Sequence, residues 1–289
     1  MFISGGWNDY EVLDTGGGAK LERWGAVTLE RPDPQAIWPP ARPDQWRSAD
    51  AAYIRSDAGG GHWEFRRAIP DRWEMRYGAL RFYVRPTGFK HTGLFPEQAA
   101  NWDWMSELIR AASRPISVLN LFAYTGGATL ACAAAGATVT HVDAAKGMTQ
   151  WARANYALSG LPNMNARWIV DDALAFVERE IRRGRSYDAI LMDPPSYGRG
   201  PGGEVWKIER DVYRLVEACA KLMSGEPLFF LINSYTTGLA PSVLSNVLSR
   251  ALSGIPGIAH AQELALPVSS GGVLPCGSSG RWTAKGAAE

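Results

Sequence analysis

From about residue 116 onward, apolar runs of strand length alternate with segments whose apolar residues recur at helical spacing. Ile116 to Phe122, Thr138 to Val142, Ala166 to Val170, Ala189 to Met192 and Leu228 to Ile232 read as strands. Between them Ala128 to Ala135, Gly147 to Leu158, Ala173 to Arg183 and Val205 to Met223 read as helices, and Glu97 to Ala112 is a helix before the first strand. In Val205 to Met223, the residues Val212, Leu215, Val216, Cys219, Ala220 and Met223 mark one apolar face. This alternation predicts a parallel sheet covered on both faces. Right-handed crossovers then put every strand C-terminus, and the ligand crevice, on one edge. The tail differs. Ile258 to Leu266 and Val273 to Trp282 are joined by a Ser/Gly loop too short for a crossover helix, which predicts an antiparallel hairpin at the edge of the sheet.

The first ninety residues have another texture, rich in Trp, Arg, Pro and Gly. Glu11 to Leu13 and Ala19 to Leu29 flank Gly16-Gly17-Gly18 and read as a hairpin, with further strands at His62 to Arg67 and Ala79 to Arg85. The expected organisation is a small all-β domain over 1–90 and a doubly wound α/β domain over 91–289.

Composition narrows the class. The 289 residues suit one sizeable core and a smaller appended domain, and 46% hydrophobic with 20% charged residues is a globular balance. A formal net charge of +1 means that any basic surface is local. Cys132, Cys219 and Cys276 form neither a disulfide framework nor a metal-ligand pair, so reduced thiols and no metal are expected. The N-terminus has no basic segment followed by an apolar run, and stretches such as Pro227 to Ile232 fall far short of the ~20 residues of a membrane helix. A soluble cytoplasmic protein is the expectation.

The candidate chemistry lies where the strands end. The first strand runs into Asn120-Leu121-Phe122-Ala123-Tyr124-Thr125-Gly126-Gly127 and an alanine-rich helix. Glycine permits a tight turn and close ligand approach, and helix N-terminal amides face the ligand. The second strand ends at Asp143, where a carboxylate can accept from both ribose hydroxyls, and the third at Asp171-Asp172-Ala173, beside an adenine position. A nicotinamide enzyme would share this plan, but the G-x-G-x-x-G fingerprint is absent. After the fourth strand comes Asp193-Pro194-Pro195-Ser196-Tyr197.

Together, LNLFAYTGG, VDAAKGMTQWARANYALSG, DDALAFV, DPPSYGRG and FKHTGLFPEQ resemble the class I S-adenosylmethionine-dependent methyltransferases, and more narrowly the 23S rRNA methyltransferases with a small β domain before the catalytic one. The likeness covers about residues 85 to 282. It implies a Rossmann-like methyltransferase sheet with S-adenosyl-L-methionine as cofactor. By that resemblance Phe122, Ala123, Tyr124, Thr125 and Gly126 wrap the methionine moiety, Asp143 with Ala144 takes the ribose, and Asp172 with Ala173 takes the adenine. Thr92, Phe95 and Gln98, within Lys90 to Gln98, cover the cofactor from the other side. The acidic residue that usually opens the first motif is Asn120 here, which can accept a hydrogen bond but brings no charge.

Methyl transfer from a sulfonium is an in-line displacement, so catalysis is largely placement. In amine methyltransferases of the D/N-P-P-Y/F type, a side-chain oxygen and a backbone carbonyl accept the amine hydrogens. Asp193 and Pro194 are the candidates, and Asp193 also borders the cofactor. Ser196 displaces the aromatic residue by one position, so Tyr197 either stacks on the acceptor or packs beside the cofactor. A cytosine C5 reaction needs a cysteine nucleophile. None stands in Pro194-Pro195-Ser196-Tyr197 or Asn233-Ser234-Tyr235, which favours a nitrogen acceptor without an adduct. Residues 198–203 form either a lid, with Arg199 reaching a phosphate, or a connector.

Seven basic residues (Arg66, Arg67, Arg72, Arg76, Arg81, Arg85, Lys90) face two acidic ones (Asp71, Glu74) between 66 and 90, interleaved with Trp73, Tyr77, Phe82 and Tyr83 and following Trp63. That composition suits RNA, with rRNA favoured. It equally suits a small β domain with an aromatic core and paired arginines. A protein or small-molecule acceptor, and a cofactor-binding protein without turnover, remain the alternatives.

Overall fold

The computed structural model describes residues 1–56, 59–162, 165–199, 205–236 and 238–287, with Arg199 by its backbone alone. The chain divides into two compact units, one of Ile3–Ala99 with Ala265–Cys276, the other of Met1–Phe2, Ala100–Leu264 and Gly277–Glu289. Each is described by itself.

After β1 (Phe2–Ile3), the first unit holds β2 (Tyr10–Gly16), β3 (Ala19–Trp24), β4 (Val27–Pro32), the short helix α1 (Pro43–Trp46), β5 (Ala51–Arg55), β6 (Gly61–Phe65), β7 (Trp73–Tyr77) and β8 (Leu80–Val84). Strands β2 to β6 form one sheet in chain order, while β7 and β8 pair as a separate hairpin. The stretch Ala19 to Leu29, read above as one strand, is two. Gly25 turns the chain at φ +65° and donates its N–H to Asp9 O at 2.6 Å, so β3 folds back on β4. Strands β5 (Ala51–Arg55) and β7 (Trp73–Tyr77) were not anticipated, although Trp73, Met75 and Tyr77 alternate with Glu74 and Arg76 at strand period.

In the second unit come α2 (Ala99–Ala111), β9 (Ser117–Leu121), α3 (Gly127–Ala134), β10 (Thr138–Asp143), α4 (Lys146–Leu158), β11 (Ala166–Val170), α5 (Ala173–Arg182), β12 (Ala189–Met192), β13 (Tyr197–Arg199), β14 (Val205–Lys207), α6 (Ile208–Ala220), β15 (Phe229–Ser234), α7 (Pro241–Ala251), β16 (Gly257–Pro267) and β17 (Val273–Ala284). Among the described residues the main sheet runs β11-β10-β9-β12-β15-β17-β16-β1. Pairing is parallel from β11 to β15 and antiparallel between β15 and β17. The tail hairpin therefore borders the parallel strands, with only the two-residue β1 beyond it. Every residue of β12 and β15 is buried, as a central strand covered on both faces requires. Leu119, Leu121, Ile190, Met192, Phe230 and Ile232 pack against Phe176 and Val177 of α5, Val212, Leu215, Val216 and Cys219 of α6 and Leu244 and Leu248 of α7.

Two readings change here. Val205–Lys207 is not the start of a helix but pairs antiparallel with Tyr197–Arg199, and α6 begins at Ile208. Helix α7, opened by Pro241 at its first position, was not anticipated. No helix among the described residues is long and apolar enough to cross a membrane.

Inside the first unit, Glu22 is fully buried and accepts from Arg31 Nε at 2.6 Å and Nη2 at 2.7 Å and from the Tyr10 hydroxyl at 2.6 Å. Burial alone would raise the Glu22 carboxyl, but the Arg31 guanidinium and Lys20 ammonium outweigh it and hold the group at about 2. A carboxyl depressed on folding contributes stability that is complete above its ordinary range and is lost as pH falls toward the folded value. Arg31→Met, leaving Glu22 buried and unpaired, should cost about 3–5 kcal/mol in urea unfolding at neutral pH. The deficit against wild type should shrink as pH is lowered from about 4.5 toward 2, since only the wild type loses the pair there. A deficit that stays constant over that interval would show that the charge pair is not its source.

Candidate active site

The parallel strands deliver their C-terminal residues to one edge, and backbone hydrogen bonds beyond the strands lock those residues together. Ala123 N donates to Val142 O at 3.1 Å, Asp171 N to Asp143 O at 3.1 Å, and Asp193 N to Leu121 O at 3.4 Å. Phe122, Asp143, Asp171 and Asp193 thus come together from four strands although about seventy residues separate the first from the last.

The loop between β9 and α3 is bent against backbone preference. Phe122 and Tyr124 lie in the left-handed region at φ +52° and +51°, where a non-glycine residue costs about 1–3 kcal/mol. Specific partners hold it. Tyr124 N donates to Asp143 Oδ2 at 2.8 Å, Asn155 Nδ2 of α4 donates to Thr125 O at 2.9 Å, and the Phe122 ring lies 5.3 Å from the Trp206 ring. Gly126 closes the bend at φ +88°, where a Cβ would come within 3.0 Å of Ala152 Cβ and 3.2 Å of Leu130. The sequence demands glycine at that position for both reasons.

Asp143 accepts from Tyr124 N with one oxygen and from Ala145 N at 2.8 Å with the other. Burial raises its carboxyl above the ordinary range despite these two amides, and no cation is among the groups acting on it. A half-buried carboxylate of this kind gains from further neutral donors such as a pair of hydroxyls. Ala144 beside it is exposed. Asp172 begins α5, where its Oδ1 accepts from Ala175 N at 2.9 Å as the N-cap, with Ala173 buried behind it. Asp171 is paired with Arg179. Asn120 stands back from the edge, fully buried within β9. Its Nδ2 donates to Thr129 Oγ1 of α3 at 2.9 Å, and that hydroxyl contacts His141 Nδ1 at 2.9 Å. Burial lowers the His141 imidazole to about 3, so it stays neutral in this network.

After β12, Asp193 is half-buried, Pro194 buried, and Pro195, Ser196 and Tyr197 exposed. This turn is braced by residues the sequence reading overlooked. Trp206 Nε1 donates to Pro195 O at 2.6 Å, Ile208 N donates to Ser196 O at 3.1 Å, and the Ser196 and Thr236 hydroxyls lie 2.6 Å apart. Nothing in the sequence marks Trp206 beyond its aromatic character, because its contacts depend on the β13–β14 hairpin. Of the segment 198–203, Gly198 and Arg199 pair with Trp206 and Val205, and residues 200–203 lie outside the described residues. Thr92, Phe95 and Gln98 belong to the other compact unit, Thr92 and Gln98 buried within it. A cleft of about 820 Å³ lies at the opposite, amino-terminal end of the strands, lined among others by Arg114, Glu226, Pro256 and Lys285; no residue of the strand-end group lines it.

A sequence profile of S-adenosylmethionine-dependent methyltransferases matches residues 54–264. The chain belongs to this family. A crystal structure of a SAM-dependent methyltransferase from Agrobacterium tumefaciens is 38% identical, with a TM-score of 0.93 over 97% of this chain and 92% of that one. SMU.776, solved as a methyltransferase complexed with SAH, shares the fold at a TM-score of 0.74 and 19% identity, covering 96% of this chain and 76% of that one. A ribosomal RNA large subunit methyltransferase K/L of Syntrophotalea carbinolica is 30% identical over 183 residues, 63% of this chain and 25% of that protein. The chain thus spans about a quarter of the length of that curated relative.

The strand-end group of this methyltransferase fits S-adenosylmethionine. Its donor set offers carboxylates at Asp143 and Asp193 to a ligand that carries hydroxyls and positive charge. Asp143→Ala removes a carboxylate from the strand edge together with its tie to Tyr124, and should weaken S-adenosylhomocysteine binding about tenfold to a hundredfold by calorimetry. Gly126→Ala should weaken it comparably by straining the bend. Unchanged affinity in both variants would place the ligand elsewhere.

Proposed function

We propose that the protein transfers a methyl group from S-adenosylmethionine to a nucleobase of RNA, at nitrogen and without a covalent cysteine adduct, with ribosomal RNA as acceptor. The braced Asp193–Tyr197 turn beside the Phe122–Gly126 loop carries this reading. S-adenosylmethionine supplies an electrophilic methyl group on a sulfonium. Asp193 and the Pro194 carbonyl are placed to accept the hydrogens of a planar amine, which orients its lone pair for in-line attack at ~3–3.5 Å. Proline at 194 and 195 fixes φ and stiffens the clamp, and the Trp206 bond to Pro195 O holds it to the cofactor loop through Phe122. Tyr197, 53% exposed, has the accessibility a base-stacking residue needs.

The cysteines support an adduct-free route. Burial pushes the Cys132 thiol up to about 12 and raises Cys219 further, and both sit in the core on helices. Burial also pushes Cys276 well above the ordinary thiol range, and its Sγ donates to Leu274 O at 3.4 Å. A thiol kept protonated is a poor nucleophile. RNA as the acceptor is supported by the ribosomal RNA methyltransferase named among the relatives, and such an acceptor puts the activity in the cytoplasm.

The test is incubation with methyl-labelled S-adenosylmethionine and separated rRNA, tRNA, protein and metabolite fractions. Label should enter rRNA, Asp193→Ala should lower the rate at least about a hundredfold, and Cys276→Ser should leave it within about twofold. Tyr197→Ala should raise the acceptor KM by about five- to a hundredfold, the range of one base–aromatic stack. Label found only outside RNA, or a dead Cys276→Ser variant that still binds the cofactor, would overturn the acceptor or the adduct-free chemistry respectively.

A further inference from the structure

The β7–β8 hairpin puts its basic residues on one face and its aromatic residues, Tyr83 excepted, on the other. Register places Trp73 opposite Val84, Met75 opposite Phe82 and Tyr77 opposite Leu80. Met75, Phe82, Leu80 and Val84 are buried, and Tyr77 packs on Trp7 with ring centroids 4.8 Å apart. These aromatics are therefore largely core. The alternate positions face outward: Glu74 opposite Tyr83 and Arg76 opposite Arg81, with Arg72 and Arg85 extending the exposed alternation one step beyond the strands. Four guanidiniums thus share one small face with a single carboxylate, while Asp71 lies in the turn before it. Elsewhere in the region Arg66 pairs with Glu30 at 2.9 Å and Arg67 with Asp50 at 3.5 Å.

Like charges directly opposite on paired strands destabilise a sheet. Arg76 facing Arg81 concentrates positive charge at the centre of this face. Arg72 stacks on the Tyr83 ring with its guanidinium carbon 3.8 Å from the centroid, an arrangement that spends the flat face of the cation and leaves its in-plane N–H donors at the rim. We propose that this outward face binds the sugar–phosphate backbone of RNA. Charge complementarity selects a polyanion. The exclusive use of arginine, whose fork matches phosphate oxygens in pairs, favours phosphodiesters over diffuse acidic surfaces. The face presents no exposed apolar side chain to enter a lipid layer, which argues against a membrane. The proposal rests on RNA being the acceptor, but it is testable apart from methyl transfer.

The experiment measures fluorescence anisotropy of a labelled RNA stem-loop and a labelled single strand with the full chain, from about 50 to about 200 mM salt. Wild type is compared with the Arg76→Gln/Arg81→Gln double variant and with Arg250→Gln, an exposed arginine of α7, as a control. The double variant should lose about tenfold or more in affinity at the lowest salt. Its slope of log K against log salt should be shallower by about 1.5 to 2, roughly one per phosphate contact removed. Arg250→Gln should match wild type. Circular dichroism and thermal unfolding should show the double variant folded at the temperature of the binding measurement, and a variant already unfolded there would be replaced by Arg72→Gln/Arg76→Gln, for which the same loss and slope change are expected. Equal affinity and slope in wild type and double variant, or no RNA binding by wild type, overturns the proposal. So does arginine-dependent capture by phosphatidylserine vesicles with RNA binding unaffected. If RNA binds through this face but is never methylated, the acceptor assignment fails and the surface stands. If RNA is methylated and the slope does not change, the surface fails alone.

Discussion

The hydrogen bond from the Tyr124 amide to the Asp143 carboxylate at 2.8 Å, beside the Ala123 N–Val142 O bond, fixes the first strand's loop on the end of the second strand. It compensates a backbone that bends twice into the left-handed region. Loop conformation and ligand affinity are thus coupled: Asp143 must be ionised and in place for the loop to hold its shape, and burial already works against its ionisation. On the proposed reading, the hydroxyl groups of a bound nucleoside would add donors to the same oxygens and stabilise the loop in turn.

Everything else at the edge serves to keep that junction rigid. The fully buried strands β12 and β15 fix the direction from which Asp193 arrives, and the Asp193 N–Leu121 O bond ties it to the strand that feeds the loop. Trp206 then links the two chemical segments, packing on Phe122 while donating to Pro195 O. In the proposed reaction the clamp for the acceptor and the cradle for the donor would share this one indole, which would keep in register a site that works by placement.

Much of this was legible in the chain. The strands β10, β11 and β12 coincide with apolar runs, and α4 and α5 with helical spacing, because buried parallel strands and their covering helices write their period directly into the hydrophobic pattern. What the pattern concealed was non-local. Gly25 splits a long strand by a turn that only its positive φ discloses. Val205–Lys207 looks helical because it adjoins the apolar face of α6, yet it pairs with Tyr197–Arg199 instead. Asn120 reads as a cofactor residue from its position in the first motif, and the pattern gave no sign that its Nδ2 donates to Thr129. Trp206, Asn155 and Thr236 were invisible because their importance lies in what the fold brings beside them.

The most direct measurement is a crystal structure of the protein grown with S-adenosylhomocysteine. The account requires both ribose hydroxyls within hydrogen-bonding distance of the Asp143 carboxylate and the sulfur between the Phe122–Gly126 loop and Pro194. A ligand seated in the cleft at the amino-terminal end of the strands, or one lying at the carboxyl edge without touching Asp143, would contradict it.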